Sequence, residues 1–351
     1  MSSNAKKIGL GIMIAILCAI AFYFLYWIKT PAYSLNIIRE SVVKHDVATF
    51  EKHVDMDSLY TKAFDDGIVA VDKIQGDGTL SNPLAVGFLQ MLKPPVVAAL
   101  KNETIEYVKG EKENKAQSNN KADDFAQGMK SKSGVDDSKL KDITVVSKEN
   151  SEAIVALTLY NQKIDKNFDL KVKMTKLDDG TWKLKEITNL VEFLVEIDKA
   201  EKEKLAELNK NIVEELKMAV PVTAANVKLN SDGNPFFASY WLNYGIELQN
   251  NTDKNITDVY VLIDLVDNNK KVFKETHLRY NQNIFTAHSK LSLSYKDKLN
   301  QFIDKDMALI ENMNDKKMEV HVVGIKYADG KEVKIFEELP DVVKKVKESS
   351  K

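Results

Sequence analysis

The chain has very little cysteine and arginine. Among its 351 residues there is one cysteine, and arginine occurs only at Arg39 and Arg279. One cysteine allows no disulfide within the chain and no Cys-x-x-Cys motif. So few guanidinium groups leave little bidentate recognition of phosphates or base edges, and 50 basic residues nearly balance 52 acidic ones. The composition excludes a disulfide-stapled fold and argues against nucleic acid as a partner.

The sequence also lacks the short motifs that mark catalytic and nucleotide-binding sites. No phosphate loop of the form G-x-x-x-x-G-K-[ST], no G-x-S-x-G nucleophile elbow and no H-E-x-x-H zinc helix occurs. His277, His288 and His321 lie on three separate predicted β segments without ligand spacing, so we interpret them as surface or core histidines and not as a zinc trio. No catalytic, cofactor-binding or metal-ligating residue is assigned, and no cofactor is expected.

What the sequence does contain is one long uncharged run, Ile8 to Ile28. As a helix rising ~1.5 Å per residue it covers about 31 Å, which matches the hydrocarbon thickness of a bilayer. Aromatic residues crowd its C-terminal end, where such rings favour the headgroup region. The run predicts a transmembrane anchor over 8–28 after a cytoplasmic tail at 1–7. A cleaved signal peptide is the alternative, because Ala19-Ile20-Ala21 fits a cleavage site.

The charges that flank this run bear on its orientation. Lys6, Lys7 and the free amine precede it, whereas Lys29, Arg39 and Lys44 follow it, so the positive-inside rule favours a cytoplasmic N-terminus only slightly. The sequence therefore predicts a single-pass protein of the cell membrane with an extracytoplasmic body. A body that faces the cytoplasm is the alternative.

Helical spacing of apolar residues follows, and Ser34, Asp46 and Asp57 are its predicted helix caps. A later helix, Leu84 to Leu92, is predicted to stop at Pro94-Pro95. From Lys109 to Asp142 the sequence is rich in Lys, Asp, Asn, Ser and Gly, which predicts a mobile polar loop over 109–142.

The stretch HDVATFEKHVDMDSL, residues 45–59, gathers two histidines and four acids. A metal or acid–base site is one interpretation, but the spacings of zinc helices and of calcium loops are both missing. We interpret the stretch as the boundaries of successive helices, with Asp46 and Asp57 as caps and His45 in a last helical turn. Glu51, Lys52 and His53 are predicted to lie on a solvated helix face.

Beyond residue 142 the apolar period changes to two. Ile143–Val146, Ala153–Tyr160 and Phe168–Met174 are predicted strands, and Asp179-Gly180 turns the chain into a further strand at Trp182. Helices followed by an antiparallel meander predict an α+β domain over 30–197.

This arrangement resembles the cone-shaped NTF2-like fold, in which helices cover a curved antiparallel sheet. The motifs TPAYSL, HDVATFEKHVDMDSL and DGTWKLKEI also resemble a bacterial membrane-anchored family catalogued as a domain of unknown function, DUF2939-like. The resemblance covers Pro31 to Ile197 and implies a fold without a defined activity. Catalytic NTF2-like proteins line a pocket with titratable residues, and no matching acid–base pair can be carried over to this sequence.

Apolar residues recur every three to four positions from Leu190 to Met218, which predicts a long amphipathic helix whose segment 198–219 links two domains. We interpret its apolar stripe as a packing surface, with a coiled-coil dimer seam as the alternative. Alternating segments then predict a β-sandwich over 220–340 that includes a helix at Lys296–Asn314, and a flexible tail over 341–351.

The run NNTDKNITDVYVLIDLVDNNKKVF resembles the immunoglobulin-like FxLYD-type domains of bacterial envelope proteins. Ile263–Asp267 stands where those domains have F-x-L-Y-D, and it keeps the Leu and the Asp without the aromatics. Such domains act as spacers or binding modules. The sequence therefore predicts a membrane-anchored envelope protein whose non-catalytic domains bind or scaffold an envelope component. A small-ligand binder or enzyme that uses an NTF2-like pocket is the alternative.

Overall fold

The computed structural model describes residues 26–75, 83–111, 138–233 and 238–340. They form two compact units, which divide between Glu201 and Lys202. Both units contain helices and antiparallel sheets, so the predicted α+β class is confirmed. No helix in these ranges is both long and apolar enough to cross a bilayer. The predicted anchor over 8–28 lies outside the described residues except for 26–28, and the predicted tails 1–7 and 341–351 lie wholly outside them.

Four helices open the first unit, and a fifth follows its sheet and crosses into the second. A short 3-10 turn, Trp27–Lys29, precedes them. The helices are α1 Pro31–Val43, α2 Val47–His53, α3 Met56–Gln75, α4 Pro83–Lys109 and α5 Leu190–Ala219.

The start of α1 differs from the prediction. The helix begins at Pro31 and is capped by Thr30, whose Oγ1 accepts a hydrogen bond from the backbone N–H of Tyr33 at 3.1 Å. Proline suits the first helical position because it has no N–H to satisfy. Ser34, the predicted cap, instead lies inside the helix and is fully buried.

The start of α3 also differs, whereas α2 begins as predicted. Asp46 caps α2 and accepts from the N–H of Thr49 at 3.0 Å. The N–H of Ser58 bonds to the carboxylate of Asp55 at 3.2 Å, so Asp55 takes the capping role at α3. Asp57 falls in the first turn of that helix.

Helix α4 does not stop at Pro94-Pro95 as predicted but continues to Lys109. Each proline removes a backbone N–H, so the carbonyls four residues earlier, on Gln90 and Met91, lose their helical donors. All four residues are exposed, so water can satisfy these carbonyls. Val96 is fully buried in a cluster with Phe64 of α3, and this packing stabilises the continued helix.

The sheet of the first unit has four antiparallel strands in the order β1-β2-β3-β4. They are β1 Ser138–Glu149, β2 Glu152–Asn161, β3 Lys166–Lys176 and β4 Trp182–Ile187. The predicted loop over 109–142 is wrong at its end, because residues 138–142 already belong to β1. They pair with β2 through the backbone, as in Lys139 opposite Tyr160, so their polar side chains do not prevent a strand. Residues 112–137 of that loop lie outside the described ranges.

The second unit contains two antiparallel sheets, in the orders β11-β10-β7-β8 and β5-β6-β9. The strands are β5 Val222–Ser231, β6 Tyr240–Gln249, β7 Ile256–Val266, β8 Val272–Tyr280, β9 Lys290–Leu299, β10 Lys317–Tyr327 and β11 Glu332–Lys334. The predicted helix over Lys296–Asn314 is shorter. Residues up to Leu299 pair with β6, and only α6, Asp304–Glu311, is α-helical, followed by a 3-10 turn at Met313–Asp315.

One hydrophobic core serves both sheets of the second unit. Alternate residues of β6, such as Leu242 and Ile246, and of β7, such as Ile263 and Leu265, are buried in it. Leu216 of α5 belongs to the same core and is fully buried. Burial of a side chain of this size contributes about 1.5–3 kcal/mol, so the buried residues of these strands stabilise the unit.

Candidate functional site

The polar stretch at residues 45–59 separates into side chains with individual structural roles. Asp46 caps α2, and the carboxylate of Asp55 bonds to Ser58 and forms an ion pair with Lys185 of β4. Burial raises the pKa of Asp55, but the hydrogen bonds from Lys185 and Ser58 outweigh it, and the net shift is downward. A carboxylate held in this way is a structural anion and not a proton acceptor.

The two histidines of the stretch do not meet at a common site. His45 lies beyond the end of α1, not in its last turn as predicted, and it has a left-handed backbone with φ 58°. Its Nδ1 bonds to the carbonyl of Val108 at 2.9 Å, and a Cβ on Gly110 would lie 2.5 Å from its ring. Because Gly110 has no Cβ, the His45 ring can lie against the C-terminal end of α4.

His53 is buried, so its predicted place on a solvated face is wrong. It is 3% exposed, and its Nδ1 bonds to the carbonyl of Thr49 at 2.9 Å. Its Nε2 is buried with no hydrogen-bond partner in the described part of the chain. His53 lies three residues after Phe50, so both share a helix face, and that spacing could have predicted its burial. Glu51 and Lys52 are exposed as predicted.

A shallow cavity of about 470 Å³ lies along one flank of α3. Its lining comes from that helix alone: Asp57, Ser58, Thr61, Lys62, Asp65 and Asp66. Each of the three acids is paired with a lysine, Asp57 with Lys101 at 2.6 Å, Asp65 with Lys93 at 2.7 Å and Asp66 with Lys62 at 2.9 Å. A groove with one wall and neutralised acids offers little for a ligand to displace.

A cluster of titratable side chains lies on one face of the four-stranded sheet in the second unit. Asp264 of β7 is opposite Glu275 of β8 and Glu319 of β10. In the next row, Leu262 is opposite His277 and His321. Side chains directly opposite one another point to the same face of a sheet. Two of the three histidines considered above as a zinc trio, His277 and His321, therefore lie on the same face, on either side of β7.

His288 is not part of this face. It lies in the connection between β8 and β9, with a left-handed φ of 56°, and its Nε2 bonds to Asp253 at 2.8 Å. The face could not be found from the sequence, because the histidines and acids come from strands that are adjacent in space but distant along the chain.

The electrostatics of this face depend on Asp264. Its Oδ1 is buried and lacks a hydrogen-bond partner among the residues that the structure describes. Burial raises the pKa of Asp264, and the negative charge of Glu275 raises it further. Glu319 forms an ion pair with Lys270, which lowers its pKa, and Glu275 bonds to His277 at 2.9 Å. Within the described ranges no three of the His, Cys, Asp and Glu side chains form a group that could hold a metal ion.

The space between the helices and the sheet of the first unit is filled with apolar side chains. Val155, Met174 and Trp182 are fully buried there, and Leu35 and Ile38 of α1 pack against them. These side chains form a packed core.

The fold thus defines a two-unit α+β protein with packed interiors and antiparallel sheets. No family model and no curated protein matches the chain. Among solved structures, the chain is similar to one described as the X-ray structure of Northeast Structural Genomics Consortium target SoR45, with 12% identity over 33% of this chain and 80% of that chain. The TM-score is 0.21, and a similarity of that size carries no argument about fold or function.

Proposed function

We propose that this chain is a single-pass envelope protein whose extracytoplasmic units bind other components or hold them apart, without catalysing a reaction. The observation that carries the proposal is the packed core between the sheet and helices of the first unit. Trp182, Met174 and Val155 fill the space in which an NTF2-like protein with a ligand would have its pocket. A catalytic pocket in this fold requires titratable groups that converge on open space.

The architecture of each unit supports the finer parts of the proposal. In the first unit, helices cover one antiparallel four-stranded sheet, which agrees with an NTF2-like fold. In the second, a four-stranded and a three-stranded sheet share one core, which agrees with an immunoglobulin-like sandwich of the FxLYD type. Non-catalytic domains of these two kinds on one anchored chain suit a spacer or a binding module.

The exposed ends of the second unit offer surface for a protein or envelope partner. Phe302 is 96% exposed, and Ile303 beside it is also exposed. These apolar side chains precede α6, which is itself fixed to the unit by buried Leu309. Exposed aromatic side chains are frequent contributors to protein interfaces.

Labelling of single cysteines tests the proposed topology. In a Cys18→Ala background, one variant carries Tyr107→Cys, one Phe302→Cys and one Asn4→Cys. Tyr107 and Phe302 are exposed, so both thiols should react with a membrane-impermeant maleimide in intact cells. The thiol at residue 4 should react only after the membrane is permeabilised.

Three outcomes of this labelling contradict the proposal in different ways. Reaction at residue 4 alone in intact cells would place the body in the cytoplasm. Loss of residue 4 from the mature chain would show that the apolar run is a cleaved signal peptide. Recovery of all three full-length variants in the soluble fraction would exclude the anchor.

A further inference from the structure

Only two residues separate the end of the predicted anchor from the first helix of the first unit. The uncharged run ends at Ile28, and α1 begins at Pro31. Between them, the carbonyl of Trp27 accepts hydrogen bonds from the N–H and the Oγ1 of Thr30, at 3.1 and 2.8 Å. Thr30 in turn caps α1. This short joint, residues 27–31, is therefore a hydrogen-bonded 3-10 turn that continues directly into α1.

Trp182 ties the joint to the sheet. Its ring is fully buried, and its indole N–H donates to the carbonyl of Lys29 at 2.9 Å. Its backbone N–H donates to Oγ of Ser34 at 2.9 Å. Gly180, with φ +86°, lies so close that a Cβ there would be 2.9 Å from the side chain of Lys29. The joint thus has contacts to α1, to β4 and to the turn between β3 and β4.

These contacts define which end of the sheet lies beside the joint. The turn between β3 and β4 lies at the same end as the turn between β1 and β2, because Lys176 donates its N–H to the carbonyl of Ser151 at 2.7 Å. The turn between β2 and β3, residues 162–165, lies at the opposite end. Strands of this length separate the two ends by about 30 Å.

We propose that the joint end of the first unit lies directly on the lipid bilayer, with Lys29, Lys148 and Lys176 against the phosphates of lipid headgroups. This inference rests on the proposed membrane anchor. All three lysines are exposed. The ammonium of Lys148 lies 5.5 Å from the centre of the Trp182 ring, and Lys176 is opposite Trp182 in the strand pair. Lysines beside a membrane are attracted to the phosphates of its lipids.

The joint, and not the net charge, fixes this orientation. Glu149 and Asp178 lie at the same end of the sheet and are exposed, and Lys52 is paired with Asp179 at 2.6 Å. The acids and bases of this end thus partly cancel. An anchored unit without a hinge stays at the headgroups even where the electrostatic attraction is screened by salt.

Quenching by a lipid surface tests the orientation in the full chain. In a Cys18→Ala background, a fluorophore is attached to Asp178→Cys at the joint end or to the matched Asn167→Cys at the far end; both positions are exposed. The protein is reconstituted in vesicles of phosphatidylethanolamine and phosphatidylglycerol that carry a headgroup-linked quencher. The label at residue 178 should lose most of its emission, and the label at residue 167 should lose none.

A linker variant supplies the control for the joint. A Gly/Ser insertion of about twelve residues between Ile28 and Lys29 spans ~20 Å on average and releases the unit from the surface. The label at residue 178 should then regain its emission while the chain stays in the vesicles. Equal quenching of both labels, or full quenching in the linker variant, would overturn the inference and leave the anchor intact. A chain that does not co-float with the vesicles would overturn both proposals.

Discussion

At the scale of single residues, buried polar side chains form hydrogen bonds with backbone groups that have no partner within their own strand or helix. Ser34 is the clearest case, since its Oγ accepts the N–H of Trp182, a residue 148 positions away along the chain. The predicted role of Ser34 as the cap of its helix is wrong. A local pattern cannot identify the N–H of Trp182 as the donor to Ser34, because the two residues are distant along the chain.

Substitution of Ser34 tests this role. Ser34→Ala leaves the N–H of Trp182 without its acceptor inside the core, so we expect a loss of about 1–3 kcal/mol in the free energy of unfolding. Ser41→Ala is the matched control on the same helix, since Ser41 is also buried but donates only to the carbonyl of Ile38 at 2.6 Å. Its cost should be smaller, because Ser41→Ala leaves no backbone N–H without its acceptor. Equal costs in urea titrations would contradict the assignment.

Asp264 gives the second unit a characteristic pH dependence. Its pKa is raised in the fold, by burial first and then by the charge of Glu275, so folding favours the protonated form relative to the unfolded chain. The stability that this group contributes is present below its unfolded pKa of about 3.9 and is lost as the pH rises through the folded pKa. The charge of Glu319 raises the pKa of Asp264 further, whereas His321 and His277 lower it.

Asp264→Asn should therefore make the protein more stable at pH 7, by at most about 1 kcal/mol because part of the side chain is in water. The gain should disappear towards pH 4. Asp258→Asn is the matched control on the same strand and face, because hydrogen bonds from Arg279 and Thr257 lower the pKa of Asp258. That variant should lose stability at pH 7. Thermal unfolding across this pH range measures both, and a loss for Asp264→Asn at pH 7 would contradict the account.

At the scale of secondary-structure elements, the start of α3 is fixed by an aspartate that also bonds to the sheet. Asp55 and Asp57 are both suitable caps for α3 by residue type. Asp55 takes the role because its carboxylate also pairs with Lys185, and the carbonyl of Leu184 accepts the N–H of Asp55 at 2.8 Å. Asp57 is left in the first turn, where it pairs with Lys101 on the surface.

The two aspartates make a direct comparison. Asp55→Ala removes a cap and half of an ion pair, so it should lower the free energy of unfolding by about 1–2 kcal/mol. The loss should shrink as the pH falls, because a carboxylate with a lowered pKa contributes stability only above its unfolded pKa. Asp57→Ala should cost less than about 0.5 kcal/mol, since its ion pair is exposed. A larger cost for Asp57→Ala than for Asp55→Ala would show that Asp57 is the cap after all.

At the scale of the whole molecule, the division into two units falls within α5 and not after it. Sequence analysis places the start of the second domain at residue 220, where the helix ends. The contacts place it at Lys202, because the C-terminal half of α5 packs in the core of the second unit. Asn209 also exchanges two hydrogen bonds with the backbone of Phe336, at 2.8 and 2.9 Å.

Two fragments distinguish these boundaries. Residues 202–340 should fold alone and unfold cooperatively. Residues 220–340 lose buried Leu216 and the partner of Phe336, so this fragment should be less stable by at least about 3 kcal/mol. Urea unfolding followed by circular dichroism measures the difference. Equal stability of the two fragments would contradict the assignment of α5 to the second core.

The sequence predicts this molecule well where a pattern is local and poorly where contacts are distant. Alternation in Phe168–Met174 and the three-to-four spacing in Leu190–Met218 reflect burial along one element, and both elements exist. The predicted exposure of His53 is wrong, although its spacing of three residues from buried Phe50 indicates that it is buried. The face around Asp264 depends on which strands are neighbours, and no local pattern contains that information.

The central claim is that an apolar N-terminal helix holds two non-catalytic units at a membrane, and alkaline extraction of cell membranes tests it most directly. The full chain should remain in the membrane pellet, whereas a matched variant without residues 8–28 should be released as folded protein. Recovery of the intact full-length chain in the soluble fraction, at the same level as the deletion variant, would contradict the claim.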